Sequence, residues 1–246
     1  MKFDKDYFKS PPPPKPTLLF YTEDGDANRK QIPYLDKEIA AMIVFPEPIR
    51  ECLLCSYLAC CVASSVPFLD KFQITKRGPV CILFGEHDEN DIHRFLFKMY
   101  TKIVKAVQEN DKKPVKERFS IPSDAIDKIP SLLCPKSLHG SDASLVDDLG
   151  NKTPFFFGLL RELKEMEPEE GWQLIILSPA SRFGGFHAEK DNAVATKFVA
   201  TLECISRSLK GKPTILLAHE KRKDGVDKLH DWVEQVNLKV IELPNE

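Results

Sequence analysis

The chain has 246 residues, of which 42% are hydrophobic and 29% are charged, as is typical of a folded globular protein. The formal net charge is −2, so no broad basic field exists to attract nucleic acid, and nucleic acid is not favoured as a main partner. This length suits one large α/β domain, and we expect a single domain over residues 17–246.

Three features of the chain bear on where it resides. Residues 1–16 are charged and then proline-rich, without the apolar core of a signal peptide, and we interpret them as a stiff lead-in. The longest uncharged run, 52–69, contains serines and a proline and therefore predicts a buried core helix and no membrane span. Seven irregularly spaced cysteines favour free thiols in a reducing compartment, the cytosol or the nucleus.

Short apolar runs alternate with longer segments of helical periodicity. The predicted strands are 17–21, 39–45, 79–84, 173–177, 214–218 and 238–243. The predicted helices are 49–66, 92–110, 154–166, 190–209 and 225–236. Continuous apolar strands joined by helical crossovers indicate parallel strands covered on both faces. The predicted fold is therefore a three-layer, doubly wound, mostly parallel sheet of the Rossmann-like type, with an irregular insertion at about 111–150.

In such a sheet, ligands bind beyond the carboxyl ends of the strands. Four polar segments follow predicted strands and should converge on that edge: 22–28, 85–93, 178–187 and 219–224. We therefore expect any functional site to lie among them.

The segment that starts at Gly85 supplies acids and an imidazole at the start of a helix. Glu86, His87 and Asp88, with His187 from a later segment, are candidates for general acid/base catalysis or for binding a divalent metal. The competing interpretation, which we favour, is that the acids only cap the helix and stabilise its positive end.

The segment 178–187 follows one strand and precedes a helix. Gly184 and Gly185 would let backbone amides approach an anion, and Arg182 would bind a carboxylate or phosphate. Together with Gly85 and Glu86 these residues are the candidate cofactor site. The known phosphate-loop spacings are absent, so a surface loop without a ligand is the favoured alternative.

Other common chemistries have less support. Cys52 and Cys55 form a CxxC pair, but no second ligand pair follows, so no metal site is predicted and these thiols are expected in the core. No G-x-S-x-G elbow occurs, and no histidine is tied by a motif to a serine or cysteine.

The stretch 173–244 resembles the second half of the seven-strand, S-adenosylmethionine-dependent protein-lysine methyltransferases. The likeness lies in the order of parts: QLIILS, a helix ending in ATLECISRSLKGK, TILLAHEKRK, KLHDWVEQV and LKVIELP. The family implies a glycine-rich cofactor loop after PVCILF, but GEHDEND stands there, and Ser178-Pro179 replaces the acid expected after QLIIL. The resemblance therefore implies a methyltransferase-like fold with a degenerate cofactor loop.

A second resemblance is to the Toprim domain of topoisomerases and primases. CILFGEHDEND is similar to its glutamate-containing element, with Glu86 displaced to follow the glycine. IILSPASRFGG is similar to its aspartate-pair element, with both acids missing. This resemblance ranks below the first.

The leading hypothesis is a non-catalytic binding or assembly subunit, a degenerate methyltransferase, with a protein partner and no membrane. The runner-up is an S-adenosylmethionine-dependent protein methyltransferase, and the third is a metal-dependent hydrolase or nuclease. An exposed apolar patch would mark a binding subunit, and Phe155, Phe156 and Phe157 are its candidate, with a core position as the alternative. The sequence does not determine the oligomeric state.

Overall fold

The structure, a computed structural model, describes residues 12–23, 30–45, 51–188, 191–220 and 239–242. The strands are β1 (Thr17–Glu23), β2 (Lys30–Asp36), β3 (Ala40–Phe45), β4 (Gln73–Ile74), β5 (Val80–Phe84), β6 (Leu133–Ser137), β7 (Leu174–Ser178), β8 (Thr214–Glu220) and β9 (Lys239–Glu242). The helices are α1 (Glu51–Ser64), α2 (Glu89–Lys112), α3 (Ala125–Leu132), α4 (Pro154–Glu165), α5 (Ser181–Ala188) and α6 (Asn192–Ser208), with a 3₁₀ turn at Val115–Glu117.

Among the described residues, six strands form the main sheet in the order β6-β5-β7-β8-β3-β9, and every pairing between these strands is parallel. Side chains alternate between its two faces, so that Val80, Ile82 and Phe84 pack with α1, α2 and α3. Cys81 and Leu83 point to the opposite face and pack with α4, α5 and α6. Both faces are thus covered, and the predicted three-layer, doubly wound, Rossmann-like fold is confirmed.

The helices form where the sequence places apolar stripes and caps. α1 is buried nearly all round because its face toward the sheet and its face toward α2 are both apolar. α2 has the predicted stripe, with Ile92, Phe95, Met99 and Ile103 buried. In the described ranges no helix has the length and hydrophobicity to cross a membrane, in agreement with the interpretation of 52–69 as core.

The amino-terminal strands differ from the expectation. β1 does form, but it pairs antiparallel with β2 and β4 in a separate three-stranded sheet. β2 and β4 were not predicted, because Pro33 lies inside β2 and β4 has only two residues. Residues 1–11 and the predicted helix 225–236 lie outside the described residues.

The segment 111–150 was predicted to be irregular, and that prediction was wrong for part of it. It contains the 3₁₀ turn, α3 and the edge strand β6, which pairs with β5 from Leu133 to Ser137. Its prolines concealed these elements. Pro130 lies inside the short α3, and Pro135 lies in β6, the end strand of the described sheet, where a missing N–H is tolerated.

Candidate functional site

The strand order of the main sheet reverses between β5 and β7. After β5 the chain moves outward to β6, and after β7 it moves the opposite way to β8. In doubly wound sheets the ligand crevice lies beyond the carboxyl ends of such a strand pair. The two segments that follow, starting at Gly85 and at Pro179, therefore occupy the position where a ligand is expected.

Gly85 joins the two strand ends directly. Its N–H donates to the carbonyl oxygen of Ser178 at 2.8 Å. A Cβ placed on Gly85 would lie 2.9 Å from Cβ and 3.0 Å from Cγ of Arg182. The aliphatic stem of Arg182 therefore fills the space that a glycine would otherwise leave for a cofactor.

Below this contact, Ser178 is fully buried and its hydroxyl donates to Oε1 of Glu51 at 3.1 Å. Glu51 belongs to the first turn of α1, where a carboxylate is favoured by the helix dipole.

Burial raises the pKa of the neighbouring Cys55 thiol well above its usual range, and the charge of Glu51 raises it further. The Ser178–Pro179 peptide is cis, and the N–H of Ala180 donates to the carbonyl of Ala218 at 2.7 Å. Sequence reasoning missed Glu51, whose only signal was an acid at the start of a helix.

The three candidate catalytic residues after Gly85 do not converge. Asp88 is the N-cap of α2 and accepts from the N–H of Asp91 at 2.9 Å, and this hydrogen bond lowers the pKa of Asp88. The ring of His87 is half-buried and meets the Phe95 ring edge-on, with 4.9 Å between centroids. The Glu86 side chain is exposed. The capping interpretation is confirmed for Asp88.

Two residues of the β6 end, not singled out in the sequence, bind the same loop. The Ser137 hydroxyl donates to the carbonyl of His87 at 2.7 Å. Nδ1 of His139 lies 2.9 Å from the carbonyl oxygen of Glu86. Both interactions hold the loop through its backbone, and no motif in the sequence signals a contact across about fifty residues.

The second candidate segment is helical. Arg182 is exposed at its tip, where Nη2 donates to the carbonyl of Ser141 at 3.3 Å. The N–H of Gly184 donates to the carbonyl of Ala180 at 3.1 Å, so this amide is used inside the fold. Gly185 and His187 belong to α5, but their surroundings and the His187 side chain lie outside what the structure describes.

The other two segments expected at this edge lie mostly outside the described residues. The segment 22–28 follows β1, which is not part of the parallel sheet, and 24–29 lie outside the described residues. The segment 219–224 begins inside β8, and its residues from 221 onward are also outside the described part.

Metal ligands are not gathered anywhere in the described part of the chain, where no group of three His, Cys, Asp or Glu side chains has a suitable arrangement. Cys52 and Cys55 are buried in α1, as expected of core residues. All seven cysteines are free thiols.

An open feature lies instead on α4. A surface groove of about 480 Å³ is lined by Lys152, Pro154, Phe157, Gly158 and Arg161. A Cβ on Gly158 would meet no atom within 4 Å, so the floor of the groove is bare helix backbone. We call this feature the α4 groove.

The three phenylalanines of α4 have different environments. Phe156 is 1% exposed and packs in the core, whereas Phe157 is 60% exposed at the α4 groove. Phe155 is half-buried. The core alternative is therefore confirmed for Phe156, and exposure is confirmed for Phe157 alone.

Comparison with known proteins does not name a family. No protein-family model matches the chain, and no curated protein matches it. The resemblance to methyltransferases thus stays an expectation.

Proposed function

We propose that this chain is a non-catalytic α/β binding subunit that docks an acidic, apolar segment of a partner protein in the α4 groove. The observation that carries the proposal is the groove itself, an open concave surface with cations and an exposed phenylalanine around bare backbone. The free thiols favour a reducing compartment, so we propose that it acts in the cytosol or nucleus.

The state of the β5–β7 junction supports the non-catalytic part of the proposal. Its backbone donor at Gly85 is bound to Ser178, its space is filled by Arg182, and Asp88 caps a helix. A nucleotide cofactor needs free amides and room beside the strand ends. At Gly85 the amide is bound by the Ser178 carbonyl, and the space beside it is occupied by the Arg182 side chain.

The chemistry of the α4 groove supports the choice of partner. Lys152 and Arg161 supply positive charge beside Phe157. The acids Glu162 and Glu165 line the adjoining hollow on the other side of Gly158 and Arg161. Arg161 lies 4.0 Å from Glu165, and both side chains are exposed, so this ion pair holds Arg161 weakly. Phe157 offers an aromatic ring for an apolar anchor. An acidic segment with an aromatic or leucine side chain complements all three.

Gly158 adds a steric argument. Glycine inside a helix lowers the stability of the helix by roughly 1 kcal/mol relative to alanine. No described neighbour of Gly158 would collide with a side chain there, so packing within the chain does not require glycine. A glycine here does, however, allow another chain to approach the helix backbone closely. We therefore assign Gly158 to the contact with a partner.

Selection of a displayed random-peptide library on the folded protein tests the proposal. We expect selected peptides to share acidic residues around an aromatic or leucine anchor, and their affinity, measured by fluorescence anisotropy, to fall at least about tenfold in Gly158→Trp. The new indole should fill the groove without disturbing the fold, because the space above Gly158 is empty.

Phe157 and Phe97 provide a matched control. Phe97 in α2 is 65% exposed and Phe157 is 60% exposed, so both truncations to alanine remove a similar exposed ring. Binding should weaken in Phe157→Ala and stay unchanged in Phe97→Ala. Peptides with a basic consensus, or peptides that bind Gly158→Trp as tightly as the original chain, would contradict the proposal.

A further inference from the structure

Two cysteines lie side by side on neighbouring strands of the main sheet. Cys81 in β5 and Cys134 in β6 are register partners in the parallel pairing. Both side chains pack on the face covered by α4 and α6. Paired strands lie about 4.8 Å apart, and disulfides join residues whose Cα atoms are about 4.4–6.8 Å apart. The two thiols are therefore within bonding reach after a small local adjustment.

The two thiols differ in access. Cys81 is fully buried in the sheet, whereas Cys134 is half-buried on the edge strand β6. A reagent in solution therefore reaches Cys134 first. Cys81 can react only with a group that is already attached to Cys134.

The electrostatic environment divides the roles in the same way. The neighbouring Cys81 thiol, which can donate to the Cys134 thiolate, and the Lys136 ammonium lower the pKa of Cys134, while burial and the Glu162 carboxylate oppose the shift. Lys136 and Glu162 form an ion pair beside the cysteines. The pKa of Cys81 is raised, because its proton is held by Cys134 and because the residue is buried. Cys134 is thus the nucleophile of the pair and Cys81 the proton donor.

We infer that Cys134 and Cys81 form a thiol–disulfide exchange site for small disulfides of the glutathione class. The Cys134 thiolate attacks one sulfur of glutathione disulfide, forming a mixed disulfide and releasing one glutathione thiolate. Cys81 gives up its proton and attacks the Cys134 sulfur, which forms the Cys81–Cys134 bond and releases the second glutathione. The protein loses two electrons and two protons, and one glutathione disulfide becomes two glutathione thiols.

The bond would be reversible. Thiol–disulfide exchange runs in both directions, so excess glutathione thiol attacks the Cys81–Cys134 bond and restores the two thiols. Oxidation ties the edge strand β6 to β5 and closes a loop that contains α2 and α3. The disulfide therefore restrains the segment between residues 81 and 134.

Treatment of the folded Cys204→Ser chain with glutathione disulfide, followed by alkylation and non-reducing tryptic digestion, tests the inference. This background removes the other half-buried thiol. Trypsin releases Cys81 in peptide 78–94 and Cys134 in peptide 129–136, each with a single cysteine. Mass spectrometry should find these two peptides joined, and separated again by dithiothreitol.

Two variants check the order of events. In Cys81→Ser the mixed disulfide on Cys134 should accumulate, and the pH midpoint for iodoacetamide alkylation of Cys134 should stay below the ordinary cysteine value, because a serine hydroxyl can also donate to the thiolate. In Cys81→Ala that midpoint should move toward the ordinary cysteine value of about 8.5. Absence of the joined peptides from folded protein, or alkylation of Cys81 as fast as Cys134, would overturn the inference; circular dichroism confirms that each sample is folded.

Discussion

The β5–β7 junction and the α4 groove are opposites. The junction stands where a doubly wound sheet binds its ligand, yet Arg182, Ser178 and Glu51 fill or bond across it. The groove lies on a helix, where the fold type gives no expectation of a site, yet it is open and bare at Gly158. The contrast teaches that a fold predicts the position of a site, whereas the side chains decide whether that position is free.

The largest expected difference is between two adjacent phenylalanines of α4. Phe156→Ala should lower the free energy of unfolding by about 3–5 kcal/mol, because it leaves a cavity in the core. Phe157→Ala should change it by less than about 0.5 kcal/mol, because that ring is exposed. Urea unfolding of both variants measures the difference, and equal losses would show that Phe157 belongs to the core and not to a free groove.

A matched glycine pair compares the two regions directly. Gly85→Ala should destabilise the fold by about 1–3 kcal/mol, since its Cβ would press on Arg182. Gly158→Ala should instead stabilise it by about 0.5–1 kcal/mol, since alanine favours the helix and nothing obstructs it. Urea denaturation midpoints measure both effects, provided that the dependence of the unfolding free energy on urea concentration is the same in all variants. A stable Gly85→Ala variant would mean that the junction has unfilled room.

The smallest effect concerns Asp88. Its hydrogen bond from the Asp91 N–H lowers the pKa of Asp88 in the folded chain, so its charge contributes stability above the ordinary carboxyl value, and this is lost as pH falls through the lowered pKa. Asp88→Ala should lower the melting temperature by a few degrees at pH 7, while Asp88→Ser, which keeps a capping oxygen, should recover most of it. The difference in melting temperature between the original chain and Asp88→Ser should become smaller below about pH 4. Full loss in both variants would contradict the capping role.

The parallel sheet could be predicted because its strands, such as Val80–Phe84 and Leu174–Ser178, are continuous apolar runs separated by helical stripes. β6 could not, because Pro135 in an edge strand resembles a loop. The sequence also located the two loops that meet at the junction. It could not show that Arg182 closes onto Gly85 or that Glu51 binds Ser178, because these contacts join residues far apart in the chain through packing alone.

Calorimetric titration of the folded chain with S-adenosylmethionine tests the central claim, that the β5–β7 junction is closed, most directly. We expect no saturable heat at millimolar cofactor, since the N–H of Gly85 is already bound to Ser178 and the adjoining space holds Arg182. Saturable binding that disappears in Gly85→Ala would contradict the claim. It would show that the junction opens for a nucleotide cofactor and would favour a working methyltransferase over a binding subunit.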